Sequence, residues 1–562
     1  MIKTTMTRAT VPNGGTGFLF FLILFWLNTK GGAQTITIEA DKYQHVFEGG
    51  GVSVGLYMGH HWSMSETNRD KAVRLINQDC NMPYVQDYVS ISAYPPLDAN
   101  YFDKRADYFK AAKVYRPDVK ISMTTNRFPK ELVDEINIGG KIQPVLRTAD
   151  TAIYSKIALF YFNLFQGFKD RGVEIDILNV VNEPDWDKQY YYGYNGDNKK
   201  GVALLFSEAV PKFKALLQDT NINKSKIKIP LIMGPSTIGP DGCLQFIRYF
   251  KQNYPTAWAQ TDIVATHQYT NGVNENALAT IRIEAEGKPY FQSEMHTNRG
   301  DNLGNMPIDS AHRGVLSLAS TMGSAIRQGV SAWFYFQTNY PHDYTPAGLL
   351  SVDWQTTNPQ PYQHYYAFKQ MTSTQPPNAH VVSRTLANFG SAEVFVFRKK
   401  NEDTVYLNIA NYMPSARIVS LNIEGYKIKS YTQIITDGSF KNEKTAPQNF
   451  PDPAKDTPLS IRPYSVNTLK VVLQKESATS IKEVGNDVKI AQIDKTVIIR
   501  SDKKILKNIT IYNLTGQIVG HFKCLNTEQY TINIGSFQSG MYLFYIQTEK
   551  GTIVKKVVLS NF

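Results

Sequence analysis

From about Val46 to Gln370, the sequence alternates short β-branched or aromatic runs with longer amphipathic runs. The amphipathic runs show the three-to-four-residue spacing of helices that bury one face. Regular alternation of strand and helix predicts a parallel sheet, because each helix returns the chain to the edge where the next strand begins. Eight strand candidates fit a (β/α)8 TIM barrel, an α/β fold, better than an open doubly wound sheet. They begin near Val46, Tyr84, Val119, Ile177, Ile229, Ile263, Pro289 and Ser331.

Two of the predicted strands stop at a glutamate. The fourth runs through Ile-Leu-Asn-Val-Val-Asn and reaches Glu183, and the seventh reaches Glu294. The carboxyl ends of barrel strands share one mouth, where active sites lie. Hydrolysis of a glycosidic bond needs one carboxyl group that protonates the leaving oxygen and a second that acts at the anomeric carbon. The pair therefore indicates a glycoside hydrolase with Glu183 and Glu294 as catalytic residues.

Composition excludes several other functions. Much of the net charge of +11 lies in the first 33 residues and the last 90 or so, and the near-balanced middle has no basic stripe, so no nucleic-acid partner is expected. Aromatic residues make up 12 % of the chain, which favours a carbohydrate site because sugar faces stack on aromatic rings. Neither the cysteines nor His60-His61 form a metal-binding motif, so no metal or other cofactor is expected. Two buried free thiols are favoured for Cys80 and Cys243, with a disulfide between them as the alternative.

The first residues predict a secretory signal peptide. Lys3 and Arg8 precede an apolar run over residues 18–27, and small residues follow up to Ala33. The run is too short to span a bilayer comfortably, so cleavage after Ala33 is expected, with an uncleaved anchor as the alternative. No later stretch is apolar enough to cross a membrane, so the mature chain should have no membrane span.

Beyond Gln375-Pro-Pro the pattern changes to strands without long helices, which predicts a β-sandwich. Another β-rich module follows a polar linker. Its motifs Ile-Tyr-Asn-Leu-Thr-Gly-Gln (511–517), Gly-Met-Tyr (540–542) and Lys-Lys-Val-Val (555–558) resemble the C-terminal sorting domain of type IX secretion. The resemblance implies a secreted or cell-surface protein with the type IX secretion machinery as a partner; an immunoglobulin-like accessory module is the alternative.

The predicted organisation has six segments. They are a signal peptide (1–33), a strand that joins the β-sandwich (34–45), a catalytic barrel (46–376), the β-sandwich (377–474), a linker (475–489) and the C-terminal sorting domain (490–562).

Three motifs together resemble glycoside hydrolase family 30 over roughly residues 35–474. They are Phe-Glu-Gly-Gly-Gly (47–51), Asn-Glu-Pro-Asp-Trp (182–186) and Tyr-Tyr-Ala-Phe-Lys-Gln (365–370). The resemblance implies a retaining mechanism in which Glu183 is the acid/base and Glu294 the nucleophile, with carboxyl groups about 5–5.5 Å apart. Their separate tasks predict a less solvated Glu183 and hydrogen-bond donors that keep Glu294 ionised.

The same resemblance implies how the sugar is bound. Asn182 is expected to hydrogen-bond the sugar 2-hydroxyl, Tyr269 to donate to Glu294, and Trp333 to form the floor of the site. For each residue the alternative is a structural role in a turn or in the core. The expected substrate-binding residues are Asn182, His267, Tyr269, Trp333 and Trp186, with Tyr192 and Trp354 as further candidates in the loops.

Two segments depart from the family pattern. Strand two, Tyr-Val-Gln-Asp-Tyr (84–88), lacks the arginine that many related enzymes carry, and strand three is followed by Thr-Thr-Asn-Arg-Phe-Pro (124–129) in place of a Ser-Pro-Trp run. Arg127 is a candidate replacement donor. Arg299 and Arg313 are candidates to recognise a uronate.

The sequence therefore predicts a secreted retaining hydrolase of a β-linked plant or microbial polysaccharide. An endo-β-1,4-xylanase or glucuronoxylanase is the first choice, because Asn-Glu-Pro-Asp-Trp resembles the xylanase branch of the family. A β-1,6-glucanase, a galactanase and an exo-β-glycosidase are the alternatives within the family. A non-catalytic glycan-binding surface protein and a structural adhesin are alternatives of other classes, which the two glutamates disfavour.

Overall fold

The computed structural model of the protein describes most of the chain after the predicted signal peptide. The described residues are 34–56, 59–89, 97–138, 140–186, 192, 197–269, 274–296, 310–341, 348–352, 358–476, 488–493, 495–502 and 504–559. The predicted signal peptide and most of the predicted linker lie outside them. No helix within these ranges is long and apolar enough to cross a membrane.

Eight parallel strands form a closed barrel in chain order, with strand eight paired to strand one. The predicted TIM barrel is thus confirmed, and its strands begin close to the predicted positions. Their residues are almost all buried, as expected for strands covered on both faces. Barrel strands one to eight are Gly49–Ser53, Tyr84–Val89, Lys120–Thr125, Ile177–Asn179, Leu231–Thr237, Ile263–His267, Tyr290–Met295 and Ala332–Phe336.

Helices connect successive barrel strands and cover the outside of the barrel. An additional hairpin, Val133–Ile138 and Lys141–Leu146, follows strand three, and a small sheet of Asn339–Pro341, Leu350–Val352 and Pro359–Pro361 follows strand eight. The α-helices are His60–Ser63, Glu66–Arg74, Ala99–Tyr115, Ile153–Lys169, Asn198–Leu204, Val210–Gln218, Pro240–Asn253, Pro255–Gln260, Glu275–Glu284, Ser310–Arg327 and Gln363–Ser373. Three further segments are short helical turns: Leu75–Asp79, Lys130–Leu132 and Leu205–Ala209.

The interior of the barrel is filled by side chains from alternate strand positions. One buried cluster contains Tyr84, Ile177, Met233, Ile263, Ala265, Phe291, Ala332 and Phe334. A Cβ atom on Gly51 would lie 2.6 Å from the Phe334 ring, so strand one can approach strand eight only because that position has no side chain.

The strand that precedes the barrel in the sequence and the strands that follow the barrel form one further sheet. Gln34–Phe47 pairs antiparallel with Ala379–Ala387 and parallel with Arg417–Ile423. The predicted β-sandwich is therefore a single ten-stranded sheet that curls around its own apolar core. Its other strands are Ala392–Arg398, Thr404–Asn411, Tyr426–Thr436, Glu443–Lys444, Gln448–Ala454, Asp456–Ile461 and Ser465–Lys475.

The C-terminal module consists of two small antiparallel sheets with a separate buried core. The first contains Val488–Ile493, Thr496–Ser501 and Gln529–Asn533. The second contains Leu506–Tyr512, Ile518–Thr527, Gly540–Thr548 and Gly551–Leu559. All three cysteines of the protein, Cys80, Cys243 and Cys524, are buried and free, so the favoured prediction of free thiols is confirmed.

Replacing Gly51 by alanine should destabilise the barrel by about 1–3 kcal/mol, because the added methyl group overpacks the interior against Phe334. The midpoint of urea unfolding, followed by tryptophan fluorescence, should fall. In a Phe334→Leu background the same substitution should cost less, because the ring that it meets is gone. Equal losses in both backgrounds would show that Phe334 is not the cause.

Candidate active site

Glu183 lies in a tight turn after barrel strand four. Its backbone φ is 47°, a left-handed conformation that a glutamate adopts only when its surroundings hold it there. The Glu183 N–H donates to the carbonyl of Ser236 at 2.9 Å, and the Glu183 carbonyl accepts from the Trp186 N–H at 3.0 Å. The turn is thereby fixed to barrel strand five, and the Glu183 side chain is held in a buried position, 6 % exposed.

Glu294 lies near the end of barrel strand seven. An irregularity in the pairing between strands six and seven aligns it with His267 of strand six. The Glu294 carboxylate accepts a hydrogen bond from the Tyr88 hydroxyl and another from the Tyr269 hydroxyl, the latter at 3.0 Å. Two strands and one loop therefore position this carboxylate.

His267 connects the two glutamates. Its Nδ1 atom lies 2.9 Å from Glu183 Oε1, and its Nε2 atom lies 4.0 Å from Glu294 Oε2. One oxygen of each glutamate and one nitrogen of His267 all lie within 4.8 Å of one another. The barrel mouth thus brings together the residues predicted at the ends of strands four, six and seven.

The electrostatics of the site follow from burial and from these donors. Burial raises the pKa of Glu294, and the Tyr88 and Tyr269 hydroxyls oppose that rise by hydrogen-bonding the ionised form. Burial also raises the pKa of Tyr269 well above its usual value, so this phenol stays protonated and able to donate. Burial lowers the pKa of His267, which favours a neutral imidazole.

Solvent exposure does not distinguish the two glutamates. Glu183 is 6 % exposed and Glu294 is 7 % exposed, so the expectation of a less solvated Glu183 is wrong. The hydrogen-bond partners differ instead: Glu183 contacts the His267 imidazole, and Glu294 contacts two phenols. This difference in partners can separate the tasks of the two carboxyl groups. Hydrogen bonds donated to a carboxylate favour its ionised form, and Glu294 accepts two of them from phenols.

Glu183, His267 and Glu294 are also the one group in the described part of the chain whose atoms are close enough to hold a metal ion together. Imidazole with two carboxylates suits a divalent transition metal. However, His267 Nδ1 already contacts Glu183 Oε1, and both oxygens of Glu294 already accept from tyrosines. These contacts fit a hydrogen-bonded network better than a metal centre.

Asn182 and Tyr192 form a second buried group beside Glu183. Asn182 is 5 % exposed, and its Nδ2 atom donates to Asn126 Oδ1 at 3.4 Å. The Tyr192 hydroxyl accepts from the Asn182 N–H at 3.1 Å and lies 3.3 Å from the Thr125 carbonyl oxygen. Tyr192 thus joins the loops after strands three and four, a structural contact rather than the subsite role considered from the sequence.

The prediction that Trp333 forms the floor of the site is wrong. Its indole is 1 % exposed, donates from Nε1 to Gln268 Oε1 at 2.9 Å, and packs against Phe368 of the last barrel helix. Side chains alternate along a strand, so Ala332, Phe334 and Phe336 face the interior while Trp333 faces outward. The aromatic residue of strand eight that faces the site is Phe336, whose ring centroid lies 6.1 Å from that of Tyr88.

The remaining candidates contribute less. Trp186 is half-buried and packs against the apolar core of the barrel, and Arg313 lies in the first turn of the helix after strand seven. Arg127 follows strand three, and its N–H donates to the Val89 carbonyl. Trp354 and Arg299 lie outside the described residues.

Tyr88 is a residue of the candidate site that sequence reasoning missed. Strand two has no arginine in the mouth; Arg105, from the following helix, pairs instead with Asp87 at 2.7 Å. Tyr88 is four residues from Tyr84, which belongs to the interior cluster, so strand alternation places both on the inner face. That spacing was the available signal.

Asp185 anchors the loop that follows Glu183. Its Oδ1 atom accepts from the Ile238 N–H at 2.8 Å, and its carboxyl group packs against Gly242 in the helix Pro240–Asn253. Burial raises the pKa of Asp185 to about 6. Asp185 therefore loses its proton within the pH range in which many enzymes work.

Comparison with known families identifies the C-terminal module. Residues 493–560 match the family described as the secretion system C-terminal sorting domain. The predicted sorting domain is confirmed, and it indicates export through type IX secretion. No curated protein matches the chain significantly by sequence.

Solved structures share much of the fold. A GH30 endoxylanase from Clostridium papyrosolvens C71 has a TM-score of 0.61 at 16 % identity, covering 78 % of this chain and 100 % of that chain. A family 30 subfamily 8 xylanase from Clostridium acetobutylicum has a TM-score of 0.59 at 15 % identity, covering 78 % and 99 %. An endo-β1,6-glucanase has a TM-score of 0.56 at 13 % identity, covering 78 % and 94 %. At these identities the likeness shows the fold, which is that of glycoside hydrolase family 30 structures.

Replacing Asp185 by asparagine should remove a pH-dependent loss of stability. The pKa of Asp185 is raised from 3.8 to about 6 in the folded protein, so folding favours the protonated form. Its contribution is fully present below about pH 4 and is lost as the pH rises through about 6. The urea midpoint of the wild type should therefore fall relative to that of Asp185→Asn between pH 4 and 6.5.

Asp107→Asn, at an exposed position of the helix Ala99–Tyr115, is the control for loss of one negative charge. A difference between wild type and Asp185→Asn that stays constant over this pH range would contradict the prediction.

Proposed function

We propose that the protein is a retaining glycoside hydrolase that acts on a β-linked polysaccharide. The observation that carries the proposal is the close approach of two buried carboxylates at the barrel mouth, with one oxygen of each within 4.8 Å of the other. Retaining enzymes hold their carboxyl groups about 5–5.5 Å apart, whereas inverting enzymes need about 6.5–9.5 Å to admit a water molecule between them. The short separation supports the retaining mechanism.

Glu294 is the nucleophile in this proposal. The Tyr88 and Tyr269 hydroxyls favour its ionised form, and its carboxylate attacks the anomeric carbon while the bond to the leaving oxygen breaks. Glu183 gives its proton to that oxygen. In the second step Glu183 removes a proton from water, and the water oxygen displaces Glu294 from the anomeric carbon. His267 contacts Glu183 at Nδ1 and orients its carboxyl group through both steps.

Xylan is the first candidate substrate. The Asn-Glu-Pro-Asp-Trp motif resembles the xylanase branch, and two of the similar structures are named as family 30 xylanases. A β-1,6-glucan is the second candidate, because another similar structure is named as an endo-β1,6-glucanase. The sorting domain supports a substrate outside the cell, where a polysaccharide that is too large to enter can be reached.

The competing proposal, a non-catalytic glycan-binding protein, does not require two opposed carboxylates. A binding site needs aromatic faces and hydrogen bonds to hydroxyl groups, and burying two acids within 4.8 Å of each other would only add a cost. The geometry therefore favours catalysis.

Glu294→Gln should abolish hydrolysis of the substrate that the wild type cleaves in a panel of xylan, glucuronoxylan, β-1,6-glucan and galactan. The amide keeps the size of the side chain but cannot form the glycosyl-enzyme, so a loss of more than about 10³-fold in kcat is expected. Product analysis measures the loss, and Glu135→Gln, at an exposed position of the Val133–Ile138 strand, is the control.

Two further measurements accompany that substrate panel. The first product released by the wild type should keep the β configuration at the anomeric carbon, as seen by NMR before mutarotation; an α product would refute retention.

Hydrolysis should be unchanged by a chelator, because no step of the proposed mechanism uses a metal. Loss of activity that returns on adding a divalent ion would refute the hydrogen-bonded network.

Glu183→Gln should lower the rate of hydrolysis most for substrates whose leaving groups need a proton in order to depart. General acid catalysis contributes about 10²–10⁴-fold, so polysaccharide hydrolysis should fall by that factor. Formation of the glycosyl-enzyme from an aryl glycoside of an acidic phenol should fall far less, as measured by the burst of released phenol. An equal loss for both substrates would remove Glu183 from the acid role.

A further inference from the structure

Gln86 lies in the middle of barrel strand two, two residues before Tyr88, so the side chains of both residues point into the barrel. The Gln86 side chain is buried, with the whole residue 1 % exposed. Its Nε2 atom lies 3.2 Å from the Tyr88 hydroxyl oxygen, 3.1 Å from the Ser293 carbonyl oxygen and 3.3 Å from Ser53 Oγ. One amide therefore connects strands one, two and seven directly beside Glu294.

The Ser293 carbonyl fixes which end of the Gln86 amide faces Tyr88. If the amide were turned over, Oε1 would lie against the Ser293 carbonyl oxygen, and two acceptors would repel each other. In the observed orientation Oε1 is buried without a hydrogen-bond partner among the described residues. A buried unpaired oxygen lowers stability, so stability alone does not explain an amide at this position.

The amide nitrogen decides where the Tyr88 hydroxyl hydrogen points. A phenol donates one hydrogen and accepts through its lone pairs, whereas an amide nitrogen only donates. Gln86 Nε2 therefore occupies a lone pair of the Tyr88 oxygen and cannot take its hydrogen. Ser53 Oγ lies 3.4 Å from the same oxygen and can also donate to it. The Tyr88 hydrogen then goes to the Glu294 carboxylate, which in its ionised form only accepts.

We propose that Gln86 is a positioning residue for the nucleophile Glu294 and acts through the Tyr88 hydroxyl, a proposal that rests on the proposed glycosidase function. Donation from Gln86 polarises the Tyr88 O–H bond and strengthens its hydrogen bond to the carboxylate. Gln86 also binds the Ser293 carbonyl, so it fixes the phenol relative to the backbone of strand seven. Because Gln86 is itself buried, it acts on the attacking carboxylate and not on the sugar.

The test uses an aryl β-glycoside of an acidic phenol that the wild type cleaves. A single turnover with enzyme in excess gives the rate constant of phenol release at saturation and the enzyme concentration that half-saturates it. Gln86→Met keeps the length of the side chain and removes the donor. It should lower the rate constant about fivefold, the factor that corresponds to one hydrogen bond of about 1 kcal/mol. The half-saturating concentration should stay within about twofold of wild type, because Gln86 does not contact the sugar.

Tyr88→Phe supplies the second arm of the test. It should lower the same rate constant by about 10–100-fold, because a hydrogen bond to a charged group is worth more than one between neutral groups. Adding Gln86→Met to Tyr88→Phe should change the rate constant by less than about twofold, because the hydroxyl through which Gln86 acts is gone. Gln218→Met, at the exposed end of the helix Val210–Gln218, is the control and should change neither quantity.

The single turnover separates positioning from folding. A misfolded fraction leaves the rate constant unchanged and raises the apparent half-saturating concentration. An unchanged rate constant in Gln86→Met, or an equal loss with and without the Tyr88 hydroxyl, would overturn the proposal. Gln86→Asn, whose shorter side chain withdraws the donor from Tyr88, gives the same test if Gln86→Met does not fold. Failure of the wild type to cleave any aryl glycoside or polysaccharide would instead refute the glycosidase function, and this inference with it.

Discussion

Closure of the eight-stranded parallel sheet is the constraint on which the rest of the structure depends. Pairing of strand eight with strand one removes both sheet edges and brings every strand's carboxyl end to one mouth. Closure itself requires a position without a side chain, Gly51, where strand one meets the ring of Phe334. Because the ring of strands is closed, Glu183 and Glu294 meet although they are far apart in sequence. Each then receives hydrogen-bond partners from a different strand.

The barrel mouth must also offset the free-energy cost of burying two carboxylates. An unpaired charge in a protein interior is costly, and two carboxylates in contact raise each other's proton affinity. One imidazole, which contacts Glu183, and two phenols, which donate to Glu294, offset part of this cost. A neutral imidazole can accept or donate at Nδ1, so the contact between His267 and Glu183 can persist when Glu183 gains or loses its proton. The two tyrosines only donate to Glu294, which suits a group that must stay ionised.

The sequence predicted the parts of the fold that depend on periodicity. Strand and helix alternation located all eight barrel strands, and the strand ordinals placed Glu183, His267, Tyr269 and Glu294 at one mouth. It failed where the direction of a side chain decides its role. Barrel strands are buried on both faces, so an apolar run does not reveal which residues point inward, and Trp333 was assigned to the site although it faces the helices. The domain boundaries stay a prediction.

The site residue that sequence reasoning missed lies on strand two. Tyr88 stands where the sequence departs from the family pattern, and its hydroxyl donates to the Glu294 carboxylate. Arg105, from the helix that follows strand two, pairs with Asp87. In the proposed mechanism, strands four and seven supply the two carboxyl groups, strand six supplies His267, and strand two supplies the Tyr88 hydroxyl. Because Tyr192 joins the loop of Asn126 to that of Asn182, the loop after strand three is tied directly to the turn that carries Glu183.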